Sequence, residues 1–261
     1  IYMSPLKEPE FFCYDGQRHS HITNLEDYFA LFQEVSDEIA IGESSTAYLE
    51  LSEFTAKNIQ HYIPNAKLIA ILREPADALY SLYLMVHRNK LNDSSTVQKI
   101  CDGFAHMVEN KRSGLINGRY YYQQLNPYLS RFGREQIKIC LFEDLKTDPN
   151  GLLKEIFQFL GVDEKFLVDT SIHHNKGGIP KNKLLYNLTT NLVSNQTLLR
   201  RLTPKRLHKP LQQAFSSIKN RNLAKLPQLT PEVRKQVIEL YREDILKLQD
   251  IISRDLSKWL E

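Results

Sequence analysis

Three short apolar runs along the chain have the composition of buried β-strands. They span Glu38 to Gly42, Lys67 to Leu72 and Gln136 to Phe142, and the second, KLIAIL, is the clearest. Unbroken apolar strands separated by helical segments are typical of a parallel sheet that is covered on both faces. The pattern therefore predicts an α/β fold.

Two long helices are marked by their start signals. Asp148-Pro149 combines an N-cap residue with proline at the first helical position, and the apolar stretch after it ends at Gly161. Thr230-Pro231 repeats that signal near the end of the chain. From there an apolar stripe continues at helical spacing through Val233, Val237, Leu240, Tyr241, Leu248 and Ile252.

The length of 261 residues fits one large domain. The segment 181–226 is rich in Asn, Lys and Arg, and we expect it to form a peripheral region of helices and loops. No glycine- or serine-rich linker separates this segment from the rest of the sequence. We therefore expect residues 1–261 to form a single domain.

Composition and charge exclude some classes of function. The chain is 42% hydrophobic and 25% charged, and its net charge of +3 gives no case for bulk nucleic-acid binding. No apolar run approaches the ~20 residues of a membrane span. The three cysteines form neither a C-x-x-C pair nor a zinc-like pattern, so no metal is expected and a reducing compartment is favoured. We expect a cytoplasmic protein, or one of the Golgi lumen if a membrane anchor lies upstream of Ile1.

The segment from Lys67 to Tyr83 has the features of an anion site. Arg73 follows the clearest strand, and Glu74-Pro75 opens a helix. At the carboxyl end of a parallel strand, a helix amino terminus offers backbone N–H groups and an arginine can grip a phosphate with two hydrogen bonds. Ser81 lies two helical turns on and could add a donor. The alternative is an ion pair between Arg73 and a nearby carboxylate, with Ser81 a small helix residue.

This segment resembles the 3′-phosphate-binding element, R-E-P-x-x-x-x-x-S, of sulfotransferases that use 3′-phosphoadenosine-5′-phosphosulfate (PAPS). The resemblance implies that Arg73 and Ser81 hold the 3′-phosphate of PAPS. Residues 3–12, MSPLKEPEFF, are similar to the K-E-x-x-F-F segment of the heparan-sulfate-like and bacterial branch. There the glutamate is the catalytic base, a role that the resemblance gives to Glu8.

Further segments extend the resemblance over nearly the whole chain. Residues 41–49, IGESSTAYL, resemble a strand end that lines the acceptor site, and residues 118–149 resemble a later helix–strand pair. HHNKGG, residues 173–178, is similar to the loop that closes over the 3′-phosphate, which implies donor contacts by Lys176, Gly177 and Gly178. The resemblance implies the sulfotransferase fold, a three-layer, P-loop-NTPase-like parallel sheet flanked by helices.

The sequence departs from the family pattern at two places. The P-K-x-G-T-T loop that binds the 5′-phosphosulfate does not occur in it, so we expect this loop upstream of Ile1 and the domain to be amino-terminally incomplete. Ser44 stands where the heparan-sulfate branch often has lysine. This second departure weakens the inference that the acceptor is a sulfated polysaccharide.

The residues themselves suggest where the acceptor binds. Lys7 beside Glu8 could lower the pKa of the base or bind an anionic substrate, although a solvated Lys-Glu pair is the plainer interpretation. His173 and His174 are a second candidate pair of bases. Tyr120 belongs to an aromatic run in which at least one member should be ordinary core. The residues expected to bind the acceptor are Lys7, Ser44, Tyr120 and His174.

Three functions remain compatible with these patterns. The first is a sulfotransferase that moves a sulfuryl group from PAPS to a hydroxyl or amine of a carbohydrate, lipid or small molecule. The second is a P-loop nucleotide kinase, although the sequence contains no G-x-x-x-x-G-K-[ST] motif. The third is an inactive member of the sulfotransferase family that serves as a binding module. The first is favoured by Glu8 and by the spacing of Arg73 and Ser81.

Overall fold

The computed structural model divides the chain into two compact units. The first comprises Ile1–Ala78, Ser113–Ser171 and Lys235–Glu261, and the second comprises Leu79–Arg112 and Ile172–Arg234. The residues that the structure describes are 1–17, 20, 22–87, 94–111, 113–170, 179–194, 211, 214–215, 217–218, 220–224 and 227–261.

Parallel strand pairs form the β-structure of the first unit. β1 (Tyr2–Met3) pairs with β2 (Ile41–Gly42), and β3 (Leu68–Leu72) pairs with β4 (Ile137–Leu141). In the second unit β5 (Ile179–Pro180) pairs antiparallel with β6 (Leu223–Ala224). The prediction of parallel strands is confirmed, and the second and third predicted runs match β3 and β4 to within one residue at each end.

Helices occupy most of the remaining described chain. In chain order they are α1 (Leu25–Ala30), α2 (Ala47–Glu50), α3 (Ser52–Tyr62), α4 (Pro75–His87), α5 (Ser94–Asn110), α6 (Gly114–Asn117), α7 (Tyr121–Leu129), α8 (Phe142–Thr147), α9 (Pro149–Leu160), α10 (Lys183–Ser194) and α11 (Pro231–Ile252). No helix in the described ranges is both long enough and apolar enough to cross a membrane.

The register of β3 against β4 aligns the carboxyl ends of the two strands. Leu68 pairs with Ile137 and Leu72 pairs with Leu141, so Arg73 and Phe142 come next at the same edge. The expectation of helical cover on both faces does not hold at two positions of β3. Ile69 and Ile71 are 39% and 49% exposed, because their side chains alternate away from the buried Leu72 onto an open face.

Both predicted helix starts are confirmed. α9 begins at Pro149 after Asp148, whose Oδ1 accepts a hydrogen bond from the Gly151 N–H at 2.9 Å. It ends at Gly161, which has a φ of 76° that glycine adopts without steric cost. α11 begins at Pro231 after Thr230, and Val237, Tyr241 and Leu248 of its apolar stripe are fully buried.

An aromatic core holds the amino-terminal segment of the first unit. Phe11 stacks on Tyr28 with 4.8 Å between ring centroids, and Phe12 meets the same ring edge-on at 5.0 Å. Ala56 and Ile59 of α3 pack into this cluster. Burial of two aromatic rings stabilises the fold by several kcal/mol, about 1.5–3 per side chain. The paired phenylalanines of the K-E-x-x-F-F segment therefore anchor the turn that precedes them.

A buried carboxylate joins the last helix to α7. Asp244 of α11 accepts hydrogen bonds from the backbone N–H groups of Tyr122 and Gln123, at 2.9 and 3.3 Å. These are donors of the first turn of α7, which have no partner inside their own helix. Asp244 therefore supplies the cap that Tyr120, the residue before α7, does not provide.

The second unit contains its own packed aromatic group. The rings of Tyr80 and Tyr83, on α4, meet the ring of Phe104, on α5, at 4.9 and 5.1 Å. Asn182 and Asn222 exchange hydrogen bonds of 2.9 and 2.7 Å beside the β5–β6 pair. The region predicted to be helical, residues 181–226, contains α10 and also β6.

Candidate active site

Glu8 lies in a strained turn that hydrogen bonds hold in place. Its φ is 53° and that of Glu10 is 55°, in the left-handed region that non-glycine residues rarely occupy. Such strain costs about 1–3 kcal/mol per residue and is concentrated at functional sites. The half-buried Glu8 carboxylate accepts hydrogen bonds from Thr46, from the backbone N–H at 2.6 Å and from the hydroxyl at 3.2 Å. Both bonds use Oε2, so the other oxygen, Oε1, is the one that can take a proton.

A second carboxylate, Glu43, lies beside this turn. The Ser45 hydroxyl donates to Glu43 Oε2 at 2.9 Å and accepts from the Glu10 N–H at 3.1 Å. Burial raises the pKa of Glu43 above its ordinary value, and the nearby charge of Glu8 raises it further, against hydrogen bonds from Tyr48 and Ser45 that lower it. Glu43 Oε1 is buried and has no hydrogen-bond partner among the described residues. From the sequence, this residue was included only within the segment 41–49, which resembles a strand end that lines the acceptor site.

Arg73 leaves β3 at its carboxyl edge, as predicted. Its guanidinium lies over the Phe142 ring, 5.3 Å from the centroid, and one Nη atom lies 3.5 Å from Asp77. The alternative interpretation, an ion pair with a nearby carboxylate, therefore has a counterpart in the structure. Both side chains of that pair are about one-third exposed or more, and pairs of this kind contribute ~0–1 kcal/mol. Arg73 Nε is buried and makes no hydrogen bond within the described ranges.

The backbone N–H groups at the start of α4 were expected to be free to bind an anion, but they already donate hydrogen bonds within the chain. The buried Glu74 carboxylate accepts hydrogen bonds from the N–H groups of Ala76 and Asp77, at 2.9 and 2.7 Å. Pro75 has no N–H to offer. The prediction that the helix terminus presents free donors to an anion is therefore wrong, because the residue after Arg73 caps the helix itself. Arg73 must act through its side chain.

Arg119, which sequence reasoning did not select, lies in the same unit. Its side chain is 17% exposed, its Nη1 donates to the Gly118 carbonyl, and the same atom is 3.5 Å from the Glu50 carboxylate. Its Nε is buried without a hydrogen-bond partner in the described part of the chain. Nothing local in the sequence distinguishes this arginine from a surface residue, because its ion pair is made with Glu50 of α2, which is distant in the chain.

The remaining predicted site residues have varied surroundings. Lys7 and Ser44, which are both predicted to bind the acceptor, are exposed. The half-buried ring of Tyr120 meets that of Tyr241 edge-on at 4.9 Å. Tyr121 is 5% exposed and packs against Trp259, so at least one tyrosine of the run is core, as expected.

The other predicted donor contacts lie in the second unit or outside the described residues. Ser81 is half-buried on α4, in the second unit, and its role stays a prediction. Lys176, Gly177, Gly178, His173 and His174 lie outside the described residues. Among the residues that are described, no group of three or more His, Cys, Asp or Glu side chains could hold a metal ion.

Comparison with known proteins decides the family. The sulfotransferase domain family matches residues 49–245, about three quarters of the chain. The chain belongs to the sulfotransferase domain family. The match includes Arg73 and Ser81, and the resemblance drawn from the motifs is thereby confirmed.

Individual relatives confirm the branch of the family. A bifunctional heparan sulfate N-deacetylase/N-sulfotransferase 1 from Caenorhabditis elegans is 24% identical over 213 residues, which are 80% of this chain and 24% of that protein. The corresponding Drosophila melanogaster protein is 29% identical over 136 residues, 50% of this chain and 13% of its own length. The chain thus spans about a quarter or less of the curated relatives named here.

A solved structure confirms the fold. The structure of a sulfotransferase from Alicyclobacillus acidocaldarius is similar to that of this chain, with a TM-score of 0.67 and 24% sequence identity. The superposition covers 100% of this chain and 88% of the Alicyclobacillus chain. The expected sulfotransferase fold is therefore present.

The raised pKa of Glu43 predicts how stability depends on pH. A carboxyl group whose pKa is raised in the folded state holds its proton where the unfolded chain has lost it, so stability falls as pH rises above the ordinary value of 4.5. Glu43→Gln stays neutral and keeps the acceptor for Ser45. We expect its unfolding free energy, relative to wild type, to increase as pH rises from ~4 to ~8.

Urea unfolding at several pH values measures this difference. Glu34→Gln, which removes one exposed negative charge, controls for the change in net charge. If the difference in unfolding free energy between Glu43→Gln and wild type does not vary with pH, the pKa of Glu43 is not raised in the folded state.

Proposed function

We propose that this sulfotransferase-family protein moves a sulfuryl group from PAPS to a hydroxyl or amine of an acceptor. The observation that carries the proposal is Arg73, an arginine at the carboxyl edge of β3, in the family-matched part of the chain, with a buried Nε that lacks a partner among described residues. Ligands of open parallel sheets bind outside this edge.

The surroundings of Arg73 fit a phosphate monoester. A guanidinium has five N–H donors in a planar fork, and a bidentate grip on phosphate uses two of them. The ion pair with Asp77 is long and exposed, so a dianionic phosphate can displace it at little cost. The face of Phe142 supports the flat guanidinium from one side. We assign Arg73 to the 3′-phosphate of the donor, with Ser81 as a second donor of hydrogen bonds.

Glu8 is the proposed general base. As the acceptor oxygen or nitrogen bonds to sulfur, the bond between sulfur and the 5′-phosphate oxygen breaks, and 3′-phosphoadenosine 5′-phosphate (PAP) leaves. The acceptor proton passes to Glu8 Oε1. The hydrogen bonds from Thr46 to Oε2 fix the direction of the carboxylate, which is the positioning that such a base requires.

The acceptor is best described by its chemistry. The two relatives are named as N-sulfotransferases of heparan sulfate, which supports a carbohydrate hydroxyl or amine as the acceptor. Ser44 stands where the branch often has lysine, which supports an acceptor with less negative charge than heparan sulfate. Lys7 is an exposed cation beside Glu8 that can meet an anionic substituent.

PAP binding tests the donor assignment. We expect PAP to raise the melting temperature more than ADP or AMP does, because only PAP carries the 3′-phosphate. At 100 times its Kd a ligand stabilises the folded state by about 2.7 kcal/mol. Arg73→Ala should abolish the shift. Arg242→Ala, which removes an arginine paired with Glu239 on the surface of α11, should keep it.

Two results of this experiment would point elsewhere. Equal stabilisation by ADP and PAP would support a nucleotide kinase instead. A PAP shift without any transfer of label from PAPS would support the inactive binding module.

Substitution of Glu8 tests the base. Glu8→Gln should retain the PAP-dependent shift and lower turnover with radiolabelled PAPS by about 10²–10⁴-fold, because an amide cannot take the acceptor proton. Glu10→Gln changes the other glutamate of the same strained turn and should retain turnover. Full turnover by Glu8→Gln would show that another group is the base.

A further inference from the structure

The turn that carries Glu8 is hydrogen-bonded to the loop between β2 and α2 at both of its strained residues. The Thr46 N–H donates to Glu8 Oε2 at 2.6 Å. The Glu10 N–H donates to the Ser45 hydroxyl at 3.1 Å. Glu8 and Glu10 are the residues of this turn with positive φ, a conformation that persists only where its surroundings over-determine it. The conformation of the turn therefore depends on this loop.

Glu43 determines how the Ser45 hydroxyl is used. A serine hydroxyl has one proton to donate and two lone pairs that accept, and it rotates to suit its neighbours. Here it donates its proton to Glu43 Oε2 at 2.9 Å. A lone pair is then available on the side of the Glu10 N–H, which donates to it. Removal of the acceptor at position 43 frees the hydroxyl to rotate, and this weakens the bond to Glu10.

The second oxygen of Glu43 indicates that an acceptor is needed here rather than a charge. Glu43 Oε1 is buried and has no hydrogen-bond partner among the residues that the structure describes. Burial also raises the pKa of Glu43, which favours the neutral, protonated form. A proton on Oε1 leaves Oε2 as an acceptor, so the bond from Ser45 persists in the neutral form.

We propose that Glu43 is a positioning residue that orients Glu8 through Ser45 and the turn between them, and that it does so as a hydrogen-bond acceptor. The inference rests on the proposed function, because it takes Glu8 as the general base. Glu43 Oε1 is enclosed by protein, so Glu43 acts through its neighbours and not on the substrate. Its removal therefore affects the rate of transfer and not the affinity for the donor.

Hydrogen exchange of single amides, followed by NMR, tests the positioning without any substrate. Glu43→Ala and Ser45→Ala should each speed exchange of the Glu10 and Thr46 amides about tenfold, the effect of losing one hydrogen bond. Glu43→Gln retains an acceptor and should keep the wild-type rates. Ser4→Ala is the matched control, because it removes a half-buried hydroxyl that bonds to the backbone of the preceding turn, and it should change neither rate.

Turnover distinguishes positioning from a merely structural role. With radiolabelled PAPS, and chitosan oligosaccharides as an acceptor that carries amines and hydroxyls, Glu43→Ala and Ser45→Ala should each lower kcat about 10–100-fold. The KM for PAPS and the affinity for PAP should stay unchanged, and Glu43→Gln should recover kcat. The double variant should be no slower than either single variant, because the two residues act as one unit. Glu43→Leu, which fills the site without an acceptor, repeats the test if Glu43→Ala does not fold.

The outcomes separate the positioning role from the proposed function. Unchanged amide exchange or unchanged kcat in Glu43→Ala and Ser45→Ala would overturn the role of Glu43. A loss of kcat in Glu43→Gln as large as that in Glu43→Ala would also overturn it, since the charge would then be what matters. If wild type transfers no label from PAPS, the proposed function itself fails, and the exchange rates still decide whether Glu43 holds the turn that carries Glu8.

Discussion

The parallel pairing of β3 with β4 is the interaction on which the site depends. Five residue pairs in register, from Leu68–Ile137 to Leu72–Leu141, bring the next residue of each strand to one edge. Arg73 and Phe142 therefore meet, and the arginine extends beyond the sheet with an aromatic ring beneath it. A shift of one residue would reverse the faces of the whole strand, so the buried Leu72 and Leu141 secure the position of the guanidinium as well as the core.

A second constraint acts on the turn that carries Glu8, in the same unit. Phe11 and Phe12 are buried in the aromatic core directly after the turn in which Glu8 and Glu10 have positive φ values. Hydrogen bonds from the segment that carries Ser45 and Thr46 stabilise the strained form and orient Glu8. Burial raises the pKa of Glu43, which lies beside this turn, so this carboxyl group tends to keep its proton. The low dielectric of a buried site strengthens each of these charge interactions. Packing energy from the aromatic core offsets the strain of the turn that carries Glu8, the proposed base.

The sequence was sufficient where the deciding interactions are local. The two helix starts, the glycine at the end of α9 and the positions of β3 and β4 can be predicted from neighbouring residues and from apolar periodicity. The error at α4 came from Glu74, whose carboxylate caps the helix that it precedes and so occupies the N–H groups expected to be free. Arg119 was not selected because its ion pair is made with a residue that is far away in sequence. Glu8 contacts Thr46 across 38 positions, and Arg119 contacts Glu50 across 69, separations that no spacing rule can anticipate.

The central claim is that the Arg73 guanidinium binds the 3′-phosphate of an adenosine nucleotide, and a crystal structure with PAP tests it most directly. The account predicts phosphate oxygens within about 2.7–3.2 Å of the Arg73 guanidinium nitrogens, with Asp77 released. A structure in which PAP is bound elsewhere, while Arg73 remains paired with Asp77, would contradict it.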